Sequence, residues 1–67
     1  MPLVMPAPDS DGDYRWPDGS RVVRVVGLWE PLDDWGYSLR GRQYDTPEAA
    51  AEALYAFGYA RGTEVTR

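Results

Sequence analysis

Neither cysteine nor histidine occurs in this chain of 67 residues. No disulfide framework and no ordinary structural zinc site can therefore hold the fold together. Whatever the chain folds into must stand on an apolar core alone. A domain of about 60 residues buries only about 60% of its unfolded surface, which leaves a small margin. Three Trp, five Tyr and one Phe supply the bulk, since each aromatic can bury about 150–250 Å². The expectation is one small domain whose core is made of a few large pieces.

The same absences narrow the chemistry. The chain has no Lys, and all seven of its cations are Arg. There is no imidazole to activate a Ser, no thiolate, no amine for a Schiff base and no phosphate-loop lysine. An enzyme is not expected, and neither is a cofactor or a metal. The net charge of −4 disfavours phosphate backbones as partners, but it is unevenly spread. Residues 1–20 carry a net −3 and residues 45–67 a net −2, whereas residues 21–44, with four Arg against three acids, carry +1. The first nine residues are broken by Pro2, Pro6 and Pro8 and have no basic stretch, so no targeting segment is read there. No run approaches the ~18 apolar residues of a membrane span. A cytoplasmic protein without a membrane partner is expected. Arg in place of Lys, with abundant Ala, Gly and Asp, associates the chain with GC-rich coding of bacterial or phage type.

Along the chain, residues 1–12 read as a flexible tail, residues 13–62 as the domain and residues 63–67 as a frayed end. Tyr14-Arg15-Trp16 forms a first short strand. Pro17-Asp18-Gly19 then signals a tight turn, because Pro presets φ, Asp bonds the local backbone and Gly takes a positive φ. Residues 21–29 read as one strand dominated by β-branched Val, and residues 30–34 as a loop. Trp35, Tyr37 and Leu39 alternate over residues 35–40, which predicts a third strand. Arg42-Gln43-Tyr44 either continues it or forms a short fourth. Thr46, Pro47 and Glu48 make a helix start of cap, first-turn proline and acidic first turn. At 100° per residue, Ala50, Ala51, Leu54, Phe57 and Gly58 share the inner side of that helix. The helix ends at Gly58, or later with Gly62 as its C′ residue. The predicted fold is α+β: a three-stranded, or four-stranded, antiparallel sheet with one C-terminal helix packed on a face.

Three acidic groupings have the residue types for chemistry. Asp9-Ser10-Asp11-Gly12-Asp13 has the alternating carboxylates of a calcium loop. Its sixth position is Tyr14 where Gly is needed, and its twelfth is Ser20 where a bidentate Glu is needed. An acidic linker is the better reading. Glu30, Asp33 and Asp34 sit in a polar stretch that offers no dry pocket to raise a carboxyl pKa for acid–base work. Glu48 and Glu52 lie one helical turn apart and mark a solvated face.

The strand over residues 21–29 carries apolar side chains on both faces, with Val23, Val25 and Trp29 on one and Val22, Val26 and Leu28 on the other. One helix can cover only one of them. The second needs the N-terminal tail, another copy in a homodimer, or a foreign partner. With Tyr and Arg enriched at binding hot spots, the expected partner-binding residues are Arg21, Arg24, Trp29, Trp35, Arg40 and Arg42 on the strands, and Tyr55 and Tyr59 on the helix. The expected function is a small non-catalytic protein-binding domain, an accessory factor or inhibitor acting by steric occupation of a partner surface. The alternative is a nucleic-acid-binding domain that uses the strand arginines and aromatics. The order of strands before one helix resembles the arm-type DNA-binding domains of tyrosine integrases. The resemblance covers element order and no motif, and those domains are basic whereas this chain is acidic.

Overall fold

Pro17-Asp18-Gly19 turns the chain as its residue types require. The Trp16 N–H donates to the Ser20 carbonyl and the Gly19 N–H to the Trp16 carbonyl, both at 3.0 Å, with Gly19 at φ +96°. This is a type I turn completed by a left-handed glycine. The computed structural model describes residues 5–39 and 41–60. Arg40, residues 1–4 and the end expected to fray over 63–67 lie outside the described residues. Within them the elements are β1 (Tyr14–Arg15), β2 (Arg21–Val25), β3 (Leu28–Leu32) and α1 (Pro47–Ala56). The strands form an antiparallel sheet in the order β1-β2-β3, and α1 packs on one of its faces. The expected fold class is the one found, but two of its strands are drawn differently.

The strand expected over residues 21–29 is broken at Val26 and Gly27, which take φ +50° and +81°. A two-residue hairpin loop of this kind needs positive φ at both positions. Val disfavours that region, so the sequence reads as unbroken strand where the chain in fact reverses. β3 then absorbs Glu30, Pro31 and Leu32, which were expected in a loop. The register pairs Val25 with Leu28, Arg24 with Trp29, Val23 with Glu30, Val22 with Pro31 and Arg21 with Leu32. Pro31 is tolerated because of where its nitrogen points. Trp29 exchanges backbone bonds of 2.8 and 2.7 Å with Tyr44 on the outer side of β3. Alternation puts the Pro31 nitrogen on that same outer side, so no β2–β3 bond is lost.

The third strand expected over residues 35–40 is not formed. Asp33 instead closes a second turn of the same type. Its N–H donates to the Tyr37 carbonyl at 2.9 Å and its carbonyl accepts from the Gly36 N–H at 3.0 Å. Its Oδ1 also accepts from the N–H groups of Trp35 and Tyr37 at 2.9 and 3.0 Å. A side chain that captures nearby N–H groups competes with a strand ladder. The chain returns beside β3 through two isolated bridges, Leu32 with Ser38 and Trp29 with Tyr44. Three steps along β3 are thus matched by six along the returning chain, and residues 41–43 pair with no strand.

The helix begins as expected, with the Thr46 hydroxyl accepting from the Ala49 N–H at 3.1 Å and Pro47 in the first turn. It ends at Gly58, which takes φ +92°. The N–H of Tyr59 bonds the Leu54 carbonyl at 2.9 Å and that of Gly58 the Tyr55 carbonyl at 3.0 Å, a Schellman ending. Ala50, Ala51 and Leu54 are buried with Trp16, Val22 and Ala60, and Met5, Tyr14, Trp29, Leu39, Tyr44 and Tyr59 pack against this cluster. Phe57, expected on the inner side, is exposed. Of the stretch read as a tail, Met5 lies on the core, and residues 9–13 form a third turn of the same kind. There the Asp9 N–H bonds the Asp13 carbonyl at 2.8 Å and the Gly12 N–H the Asp9 carbonyl at 2.9 Å.

Candidate functional site

Cross-strand pairing sorts the sheet into two faces. Tyr14, Val22, Arg24, Trp29 and Pro31 share the helix side, and Val22 and Pro31 are fully buried there. Arg21, Val23, Val25, Leu28, Glu30 and Leu32 share the other side. All six are half-buried, and no helix or strand among the described residues packs over them. That second face thus carries four apolar residues, Val23, Val25, Leu28 and Leu32, with Arg21 and Glu30 among them.

One row on the helix side is left open by the helix. Arg24 on β2 pairs with Trp29 on β3, which bridges to Tyr44 on the returning chain. The Arg24 guanidinium carbon lies 5.7 Å from the Trp29 ring centroid. The Arg42 guanidinium carbon lies 5.5 Å from the Tyr44 ring. Tyr14 meets Trp29 at 5.7 Å with the rings tilted by 59°, within the centroid range of favourable aromatic pairs. Arg24 and Arg42 are exposed, while the three rings are half-buried. Each cation therefore rests on a ring anchored in the core, with its donors turned to solvent. Among the described residues no carboxylate pairs with either one. The ion pair found there joins Arg15 to Asp9 at 3.3 Å.

Of the eight residues expected to bind a partner, this row brings together Arg24, Trp29 and Arg42. Arg21 and Trp35 lie at the opposite end of the sheet. A Cβ added at Gly36 would sit 3.8 Å from the Arg21 guanidinium, and Trp35 is 80% exposed beside it in the turn. Tyr37 in the same turn is 69% exposed. Tyr55 is half-buried on the helix and Tyr59 half-buried just beyond it. Arg40 lies outside the described residues. Tyr14 and Tyr44 were missed. Nothing local marked them, because it is the bridge to Trp29 and the turn back to β2 that put them in the row.

Burial pushes the Tyr59 hydroxyl above its ordinary value, and the charges of Asp34, Asp33 and Asp18 push it the same way. Asp9 is held below the usual carboxylate value, first by the Asp13 backbone N–H, with the Asp11 N–H and Arg15 adding to it against a smaller effect of burial. Carboxylate oxygens of Asp9, Asp11 and Asp13 lie within 4.8 Å of one another. Asp9 Oδ1 already accepts from the Asp11 and Asp13 N–H groups at 3.0 Å, and Oδ2 meets Arg15. The grouping is thus accounted for by the turn. Among the described residues no helix is long and apolar enough to cross a membrane. Comparison of the chain with protein-family models, with curated proteins and with solved structures gives no match.

Proposed function

We propose that this chain is a small non-catalytic protein-binding domain, an accessory or inhibitor protein that acts by occupying a partner surface. One observation carries the reading: two arginines without a carboxylate partner among the described residues, held over core-anchored rings in one row of the sheet, in an acidic chain. Rigid aromatics and Arg are the residue types that dominate protein interfaces, because they bury area at low cost in entropy. The row Arg24, Trp29, Tyr44, Arg42, with Tyr14 beneath it, is the proposed contact surface. Trp35 and Tyr37 at the far end of the sheet make a second exposed aromatic pair outside that row.

A tagged chain that recovers its partner from the source cell allows the affinity to be measured against variants. Arg24→Ala and Arg42→Ala should each weaken binding by about 1–2 kcal/mol if the residue is an anchor, while the fold stays nearly unchanged because both are exposed. Neutralising Glu48 and Glu52 should leave binding intact. The reverse pattern would transfer the function to the acidic helix. Affinity for nucleic acid that falls steeply with salt would support the alternative, a nucleic-acid-binding domain.

A further inference from the structure

We propose that the Arg24–Trp29–Tyr44–Arg42 row receives a short acidic segment of a partner protein, a carboxylate side chain for each guanidinium. This rests on the protein-binding reading above and names the chemistry of the segment that docks.

A guanidinium held over a ring and bonded to no carboxylate keeps N–H donors for one, which it can bind through two hydrogen bonds. The row has two such forks, over Trp29 and over Tyr44. These rings are direct cross-strand neighbours; Arg24 reaches the first from β2 and Arg42 the second from the irregular stretch just before Tyr44. The chain has eleven acids against seven Arg, yet neither Arg24 nor Arg42 is neutralised by any acid among the described residues. The unpaired residues 41–43 favour the same view. A plain strand would continue from Ser38 without them, and irregular insertions of this kind re-aim side chains at sheet edges. Arg42, in this irregular stretch, lies over Tyr44.

The acidic turn at residues 9–13 selects against a polyanion. Asp13 Oδ1 accepts from the Arg24 backbone N–H at 3.4 Å, so this turn stands at the open edge of β2. The Arg24 guanidinium is drawn the other way, over Trp29 on β3. Repulsion from the turn reaches about 8 Å at physiological salt. A continuous phosphate backbone laid along the row would run into that field at the β2 edge. A peptide with separate carboxylates can seat one at each guanidinium without laying continuous charge along that edge.

The test is a heteronuclear NMR titration of the full chain with acetyl-Glu-Leu-Glu-amide up to about 10 mM, since exposed charge pairs are individually weak. The Nε–H signals of Arg24 and Arg42 and the indole N–H of Trp29 should move together and saturate. The Gln-Leu-Gln analogue should leave them in place. Arg24→Gln or Arg42→Gln should weaken binding about threefold and the pair about tenfold, with the dispersed spectrum of the folded chain retained. No movement, equal movement with the Gln peptide, or movement centred on Arg15, Arg21 or Trp35 would overturn the proposal. So would a short thymidine oligomer that binds the same signals more tightly than the Glu peptide does. A partner that needs both arginines but docks a neutral segment sinks this inference and keeps the protein-binding reading. A partner indifferent to both arginines sinks the assignment of the contact surface to this row, and failure to recover any protein partner sinks the protein-binding reading itself.

Discussion

Val26 is the residue most at odds with its place. It sits at φ +50° at the tip of the β2–β3 hairpin, 97% exposed, where a β-branched side chain gains no burial and strains the backbone. Asn before Gly is the preferred pair for this loop. Val26→Asn should therefore stabilise the fold by about 1 kcal/mol, as read by urea denaturation. A loss of stability would mean that the valine makes a contact this account lacks. Ser20 is the opposite case, a fully buried polar residue with every group engaged. Its hydroxyl donates to Asp18 Oδ1 at 2.6 Å and accepts from the Ala60 N–H at 3.1 Å. The bond to Ala60 fastens the chain beyond the helix onto the first hairpin turn. Ser20→Ala leaves that buried N–H unpaired, so the expected cost is about 1–3 kcal/mol. A change below ~0.5 kcal/mol would place the anchor elsewhere.

At the scale of elements, one turn design is used three times, at residues 9–13, 16–20 and 33–37. Each places a glycine fourth, with φ +88°, +96° and +88° in turn. Asp is first in two of them, and its Oδ1 gathers the N–H groups two and four residues on. The calcium-like spacing of Asp9, Asp11 and Asp13 is therefore a by-product of hairpin chemistry. The helix end tests the same conformational argument with little interference, because nothing lies within 4 Å of a Cβ built at Gly58. Gly58→Ala should cost about 1 kcal/mol from backbone strain alone, and Gly58→Asn less, because Asn tolerates the left-handed region. Equal costs for the two, measured by thermal unfolding, would show that packing rather than φ decides that position.

For the whole molecule, the two displaced pKa values set opposite limits of stability with pH. Asp9 has its folded value lowered from 3.8, so its contribution is present above that value and is lost as pH falls through the depressed one. Asp9→Asn should flatten the loss of stability below about pH 4. Tyr59 has its folded value raised from 10.0. Its contribution is present below 10.0 and is lost as pH rises through the raised value. Tyr59→Phe should flatten the alkaline limb above about pH 10. Denaturation midpoints across both limbs give the reading, and limbs unchanged by the two variants would assign the pH limits to other groups.

Local chemistry was enough for the helix and the first turn. Thr46, Pro47 and Glu48 start the helix, Gly58 ends it, Ala50, Ala51 and Leu54 mark its inner side, and Pro17-Asp18-Gly19 reverses the chain. Each of these rests on a conformational preference that neighbouring residues alone express. The presence of one helix and the class of fold followed from the same signals; the strand count agrees only because one expected strand splits at Val26 and Gly27 while that expected over 35–40 is not formed. The positions of the second and third strands did not. Val26 adopts a conformation its own side chain opposes because the pairing of β2 with β3 more than offsets that strain. Asp33 captures N–H groups that the alternation of Trp35, Tyr37 and Leu39 would have placed in a ladder. The candidate site shows the same division. Composition pointed to Arg and aromatics in the middle segment, but only the hairpin reversal and the Trp29–Tyr44 bridge bring Arg24, Trp29, Tyr44 and Arg42 into one row. The Trp29–Tyr44 bridge joins residues distant in sequence, and its energy appears only once the chain has closed on itself.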